Sequence, residues 1–141
     1  MGTFGRLCRQ GCLMPFSYVV YKEQQLVIST GSGRVTRAEI KQRQDQTKTD
    51  PDFDPEFNQI VDLTAVTDFE MSIDEFKSLA QRKVFGSKSR RAFVAARPHI
   101  FGMGRLWAAY SDMSDDDPSK IHVFYDLPSA LKWLGLESLP Q

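Results

Sequence analysis

The sequence predicts an α/β fold: about five strands in a mixed, mostly parallel sheet, four covering helices, and a first strand that pairs antiparallel. Three observations carry this. Apolar runs of strand length alternate with segments of helical period, giving one strand and then four strand–helix units. Two capping boxes, Thr36 with Glu39 and Ser72 with Glu75, mark helix starts soon after strand-like runs. A length of 141 residues suits one domain with an ordinary core that needs no staples.

Residues 16–22 alternate as a strand, and residues 25–31 read as a second, joined through Glu23-Gln24 as a hairpin. Gly31-Ser32-Gly33 then breaks the pattern. Thr36 opens a helix in which Ala38 and Ile40 are nearly the only apolar residues, so it is expected to cover little core. It stops before Asp50-Pro51, because the residue before proline avoids helical angles. Alternating acids at Asp50, Asp52, Asp54 and Glu56 have the look of a calcium loop, but the spacing fails: Pro55 stands where the turn needs glycine, and Val61 where a bidentate Glu is needed. Two proline turns that send Phe53 and Phe57 inward are the better reading.

Residues 60–63 form a short apolar strand ending at a polar loop. The next helix carries Ile73, Phe76, Leu79 and Ala80 as its apolar stripe. Residues 91–96 are strand-like, and 100–113 helical with Met103, Leu106, Trp107 and Tyr110 on one face. After the acidic loop Asp115-Asp116-Asp117-Pro118 comes a strand over 121–125. Asp126 and Pro128 then start a last helix with Ala130, Leu131 and Leu134 inward and Gly135 as its stop.

Eighteen Lys and Arg balance eighteen Asp and Glu, so no long-range field draws the chain to nucleic acid or an anionic membrane. No apolar run reaches the roughly 18 residues of a membrane span. Cys8 and Cys12 make neither a disulfide framework nor, alone, a four-ligand zinc site. A reducing, cytoplasmic setting without metal or cofactor is the expectation. The strand-like run after Met14 suggests that the domain is 14–141 and that 1–13 is a flexible N-terminal extension.

The stretch Val61-Asp62-Leu63-Thr64-Ala65-Val66, the paired proline turns at 50–57, and Phe101-Gly102-Met103-Gly104-Arg105 together resemble the SpoIIAA-like branch of the STAS superfamily, and within it uncharacterised bacterial members. The resemblance runs over about 14–136. It implies the SpoIIAA-like topology, a non-enzymatic role and action through protein contacts. Antagonist members of that branch carry a phosphorylated serine at the start of the helix after this strand. Here Met71 occupies the phosphoacceptor position and Ile73 replaces a glycine. Ser72 is the weak remaining candidate, and an N-cap, worth about 1 kcal/mol, accounts for it fully.

The turn at 97–105 is the other candidate site. Arg97, His99, Gly102, Gly104 and Arg105 surround a helix start whose free amides can meet a carboxylate or phosphate. The competing reading is that the glycines let the helix approach the sheet. Met103, Trp107 and Tyr110 are candidate pocket residues, with plain core packing as the alternative. His122, flanked by Ile121 and Val123, reads as filling a strand face. The basic cluster Arg82, Lys83, Lys88, Arg90 and Arg91 reads as a solvated loop. No catalytic motif is present. The expected function is a non-enzymatic interaction module that contacts a protein partner or a second copy. The alternative is a binding protein for a small apolar or anionic ligand, using loops at the carboxyl ends of the strands.

Overall fold

The structure, a computed structural model, describes residues 16–113 and 120–140. The N-terminal extension and the acidic loop at 115–118 lie outside them. Five strands, β1 (Phe16–Tyr21), β2 (Leu26–Thr36), β3 (Asn58–Glu70), β4 (Arg91–Val94) and β5 (Ile121–Phe124), form one sheet in sequence order. β1 is antiparallel to β2 at one edge, and the other pairs are parallel. The four helices are α1 (Arg37–Thr49), α2 (Ile73–Ala80), α3 (Pro98–Asp112) and α4 (Leu127–Leu134). The sheet, the four helices and the antiparallel first strand are as the sequence predicts.

Alternation along each strand sorts the core into two faces. Val61, Leu63, Phe93 and Ile121 pack with Ile40 of α1, Leu79 of α2 and Ile100 of α3. Their neighbours Ile60, Ala92 and Val94, with Leu26, pack with Ala130, Leu131 and Leu134 of α4. Three helices thus cover one face and one covers the other. Both expected capping boxes form. Asp126 caps α4, and Gly135 ends it with φ 75°, the left-handed conformation that glycine adopts most readily. The proline turns send Phe57 into the core, and Phe53 meets both Phe57 and Phe85 edge-on.

Two boundaries differ from the sequence reading. Gly31-Ser32-Gly33 does not end β2: the strand continues to Thr36 through register shifts on either side of Ser32-Gly33. The polar loop after Leu63 is also strand. Residues 65–70 of β3 pair with 32–36 of β2, beyond the reach of β4, as a two-stranded ribbon. Most of this stretch looks polar because Thr64, Ala65, Thr67, Asp68 and Glu70 face solvent, while Val66 is fully buried and Phe69 packs on the core. In α2, Ile73 is 52% exposed and leaves the apolar stripe to Phe76, Leu79 and Ala80.

The caps make stability pH-dependent. The Ser72 backbone hydrogen bond holds the exposed Glu75 carboxyl below its ordinary pKa of 4.5. The Ser129 amide does the same for Asp126. A carboxylate depressed in the folded state stabilises above its unfolded pKa and loses that contribution as pH falls through its folded value. Glu75→Gln, which keeps an amide oxygen for the cap, should therefore flatten the loss of thermal stability below about pH 4.5. Melts over an acid series check this, and an unchanged slope would contradict it.

Candidate functional site

A cavity of about 90 Å³, partly open to solvent, lies between the sheet and helices α1–α3. Its wall divides by chemistry. Phe16, Val61, Phe69, Phe76, Phe93, Met103 and Trp107 supply the apolar part. The rings interlock: Phe76 meets Phe69 at 5.5 Å and Trp107 at 5.3 Å, both edge-on. Gly104 allows α3 to lie this close to the sheet. A Cβ there would stand 3.3 Å from both methyls of Val123.

The polar part comes from Ser29, Arg43, Gln44, Gln59, Arg82 and Arg91. Ser29, only 2% exposed, accepts a 3.0 Å hydrogen bond from Gln59 Nε2. Arg43 is 4% exposed. Its guanidinium donates to the Phe16 carbonyl and to Gln46 Oε1, and lies 5.1 Å from the centre of the Tyr18 ring. Burial pushes its pKa down, partly opposed by Tyr18. An arginine starts so far above neutrality that it stays a cation. Arg82 donates to Gln44 Oε1 at 2.9 Å and to Asp45 Oδ1 at 2.6 Å, and this bond holds the Asp45 carboxyl below its usual range. Arg91 places its guanidinium 5.4 Å from the Phe85 ring centre and is the register partner of Gln59. Three guanidinium groups therefore face the cavity, and among the described residues no Asp or Glu lines it.

The turn at 97–105 is arranged differently. Arg97 is the exposed N-cap of α3 and makes no side-chain cap bond. His99 places Nε2 2.9 Å from the Thr67 carbonyl, tying α3 to the end of the β2–β3 ribbon. Gly102 faces open space, whereas Gly104 is the close-approach glycine. Arg105 borders a separate outer hollow with Phe101, His122 and Val123. Of these five residues only Gly104 reaches the main cavity. Met103 and Trp107 line it, but Tyr110 does not: its carbonyl accepts from Gln81 and its ring faces Lys77. Ser72 Oγ accepts from the Glu75 amide at 3.1 Å.

The basic cluster is not a uniformly solvated loop. Arg82 and Arg91 turn to the cavity, while Arg90 donates to the Trp133 carbonyl and stacks 4.3 Å over its ring. His122 is exposed and packs on the same ring at 4.6 Å. Among the described residues no three His, Cys, Asp or Glu are grouped as metal ligands. Among the described residues none of these four types lines the cavity.

Sequence reasoning missed Ser29, Arg43, Gln59 and Arg91. A signal was available for three of them. Arg43 and Thr47 share one helical stripe with Ile40, at spacings of three and four residues. Gln59 alternates with Val61 and Leu63, and Arg91 with Phe93 and Ala95, which places both on the covered face of the sheet.

No protein-family model matches the sequence, and no curated protein matches it. Among solved structures, one similar to this chain is the crystal structure of an uncharacterized protein from the DUF3478 family with a SpoIIAA-like fold, from Shewanella loihica PV-4. The two superpose with a TM-score of 0.58 at 17% identity, over 86% of this chain and 95% of that one. That likeness extends to the fold, and the chain described here folds as a SpoIIAA-like domain.

Proposed function

We propose that this chain is a non-enzymatic binding module on a SpoIIAA-like fold, and that it takes up a small, largely apolar molecule in the cavity beneath α1–α3. The cavity itself carries the reading. Protein interiors leave few voids larger than a water molecule, and about 90 Å³ walled by aromatic rings and Met103 is several times that size. Ligand sites are mostly apolar with a few placed polar groups, which is the division found here. Native mass spectrometry of the protein purified from its own host tests it. A copurified small molecule is expected, and a uniformly ligand-free mass would count against it.

A second reading, contact with a protein partner or a second copy, is favoured by the sheet edge. β5 ends the sheet, and beside it Tyr125, 58% exposed, stacks on Phe101 at 4.0 Å. An open edge of this kind can accept an added strand. If the partner is a second copy, sedimentation would show a dimer that Tyr125→Asp weakens.

A further inference from the structure

We infer that the β5 edge receives an extended peptide segment of a partner protein as an added strand, carrying two acidic side chains four residues apart and an aliphatic one midway between them. This rests on the sheet edge being a contact surface and adds the chemistry of the partner.

The backbone of β5 is set to take a strand. The Lys120 and Phe124 carbonyls accept from the Arg91 and Ala95 amides at 2.8 and 2.9 Å, so these groups turn toward β4. Backbone groups of successive strand residues turn to alternate sides, so those of Ile121 and Val123 turn outward. Edge groups of this kind are a template for another chain.

The side chains beside the edge select an acidic segment. A hollow bordered by Phe101, Arg105 and Ala108 lies between α3 and β5. Arg97, Phe101 and Arg105 are spaced four apart and share one stripe of α3 and its cap. Phe101 is half-buried and stacks on Tyr125, just past the end of β5. Arg97 and Arg105 are exposed, and among the described residues neither is in an ion pair. Among the described residues no Asp or Glu lines the hollow. Asp126, which follows Tyr125, is committed to the Ser129 amide as the cap of α4.

The spacing sets the pattern of the peptide. From Arg97 to Arg105 the helix rises about 12 Å. Two acids four residues apart on a strand stand about 13 Å apart and point to the same face. The residue midway between them points the same way and meets Phe101, so an aliphatic side chain suits it. A second copy suits the edge less well. Two β5 strands paired antiparallel about a twofold axis keep both α3 helices on the same side of the sheet, which brings the two sets of arginines together. Like charges facing each other across an interface oppose association.

The test titrates two peptides with blocked ends into the full-length ¹⁵N-labelled protein. One reads Gly-Glu-Thr-Leu-Thr-Glu-Gly. The other, Gly-Thr-Glu-Leu-Glu-Thr-Gly, has the same composition but places its acids only about 7 Å apart. The first is expected to bind at least about threefold more tightly than its isomer, to lose affinity in high salt, and to shift and protect the Ile121 and Val123 amides. Arg105→Gln, at an exposed position that the fold does not need, should weaken it about threefold. Equal binding of the two isomers would overturn the assigned spacing of charges. Binding that leaves the Ile121 and Val123 amides unmoved would overturn strand addition. If neither peptide binds, the inference fails, and sedimentation separates the two causes. A dimer would keep the edge as a contact surface with a second copy as its occupant, and a monomer would overturn that reading of the edge as well.

Discussion

Phe76→Ala should lower the thermal midpoint by roughly 10–15 °C, the largest effect expected from any single substitution considered. Phe76 is 1% exposed and sits between Phe69 and Trp107, so it joins α2 to α3 and to the β2–β3 ribbon. Deleting a buried phenylalanine costs about 3–5 kcal/mol, because the transfer energy is lost and the void closes only in part. Typical domains hold only about 5–15 kcal/mol in total. Here the void would also merge with the existing cavity, which neighbouring rings cannot fill without leaving their edge contacts. Thermal and denaturant unfolding measure it. A drop of less than about 3 °C would mean that α2 is held by other contacts.

Gly31→Val is expected to cost about 1–3 kcal/mol, the usual range for forced overpacking. A Cβ at Gly31 would stand 2.8 Å from Val66 Cγ2 and 3.1 Å from Phe16 Cδ1. Val66 is fully buried, so it has nowhere to retreat. The substitution probes the point where β1, β2 and the long β3 meet. Gly33→Ala is the comparison: φ there is 64°, but nothing stands within 4 Å of its Cβ. Its cost is backbone strain alone, about 1–2 kcal/mol. If Gly31→Val melts no lower than Gly33→Ala, the close packing at Gly31 is not what limits the site.

Gly31 also shows where the sequence was hard to read. A Gly-Ser-Gly triplet signals a turn when taken locally, and a bulge when a neighbouring strand stays paired across it. The pairing partner, residues 65–70, lies more than thirty residues away and is mostly polar on its outer side. Met71-Ser72 follows this ribbon directly, so the capped serine that begins α2 stands at the end of a strand rather than in a free loop. The reading of Ser72 as an N-cap was available from its spacing to Glu75, because a capping box needs only four consecutive residues.

The candidate site was legible in part. Met103 and Trp107 follow from helical period, since three or four residues on a helix return to one face. Tyr110 shares that period but lies a turn further on, where α3 runs past the cavity and meets Lys77 and Gln81 of the α2 region. Helical period shows which residues share a face, but not how far along the helix the neighbouring element stops. Arg43 was only faintly marked, by its spacing of three from Ile40. A helix reading R-A-E-I-K-Q-R-Q-D-Q-T-K-T carries cations and amides on every side, and composition cannot show which of them the fold turns inward.

The order of strands and helices, the two capping boxes, the last helix with its glycine stop and the inward phenylalanines were determined by the sequence alone. Each depends on residues within a few positions of one another, and such local signals survive without knowledge of the fold. The β2–β3 ribbon, the convergence of Arg43, Arg82 and Arg91 on one cavity, and the exclusion of Arg97, His99 and Arg105 from it were decided only by the tertiary structure. They depend on contacts between elements thirty to fifty residues apart. An arginine that will be buried beside a ring is the same residue in sequence as one that will be solvated; only packing around it separates the two.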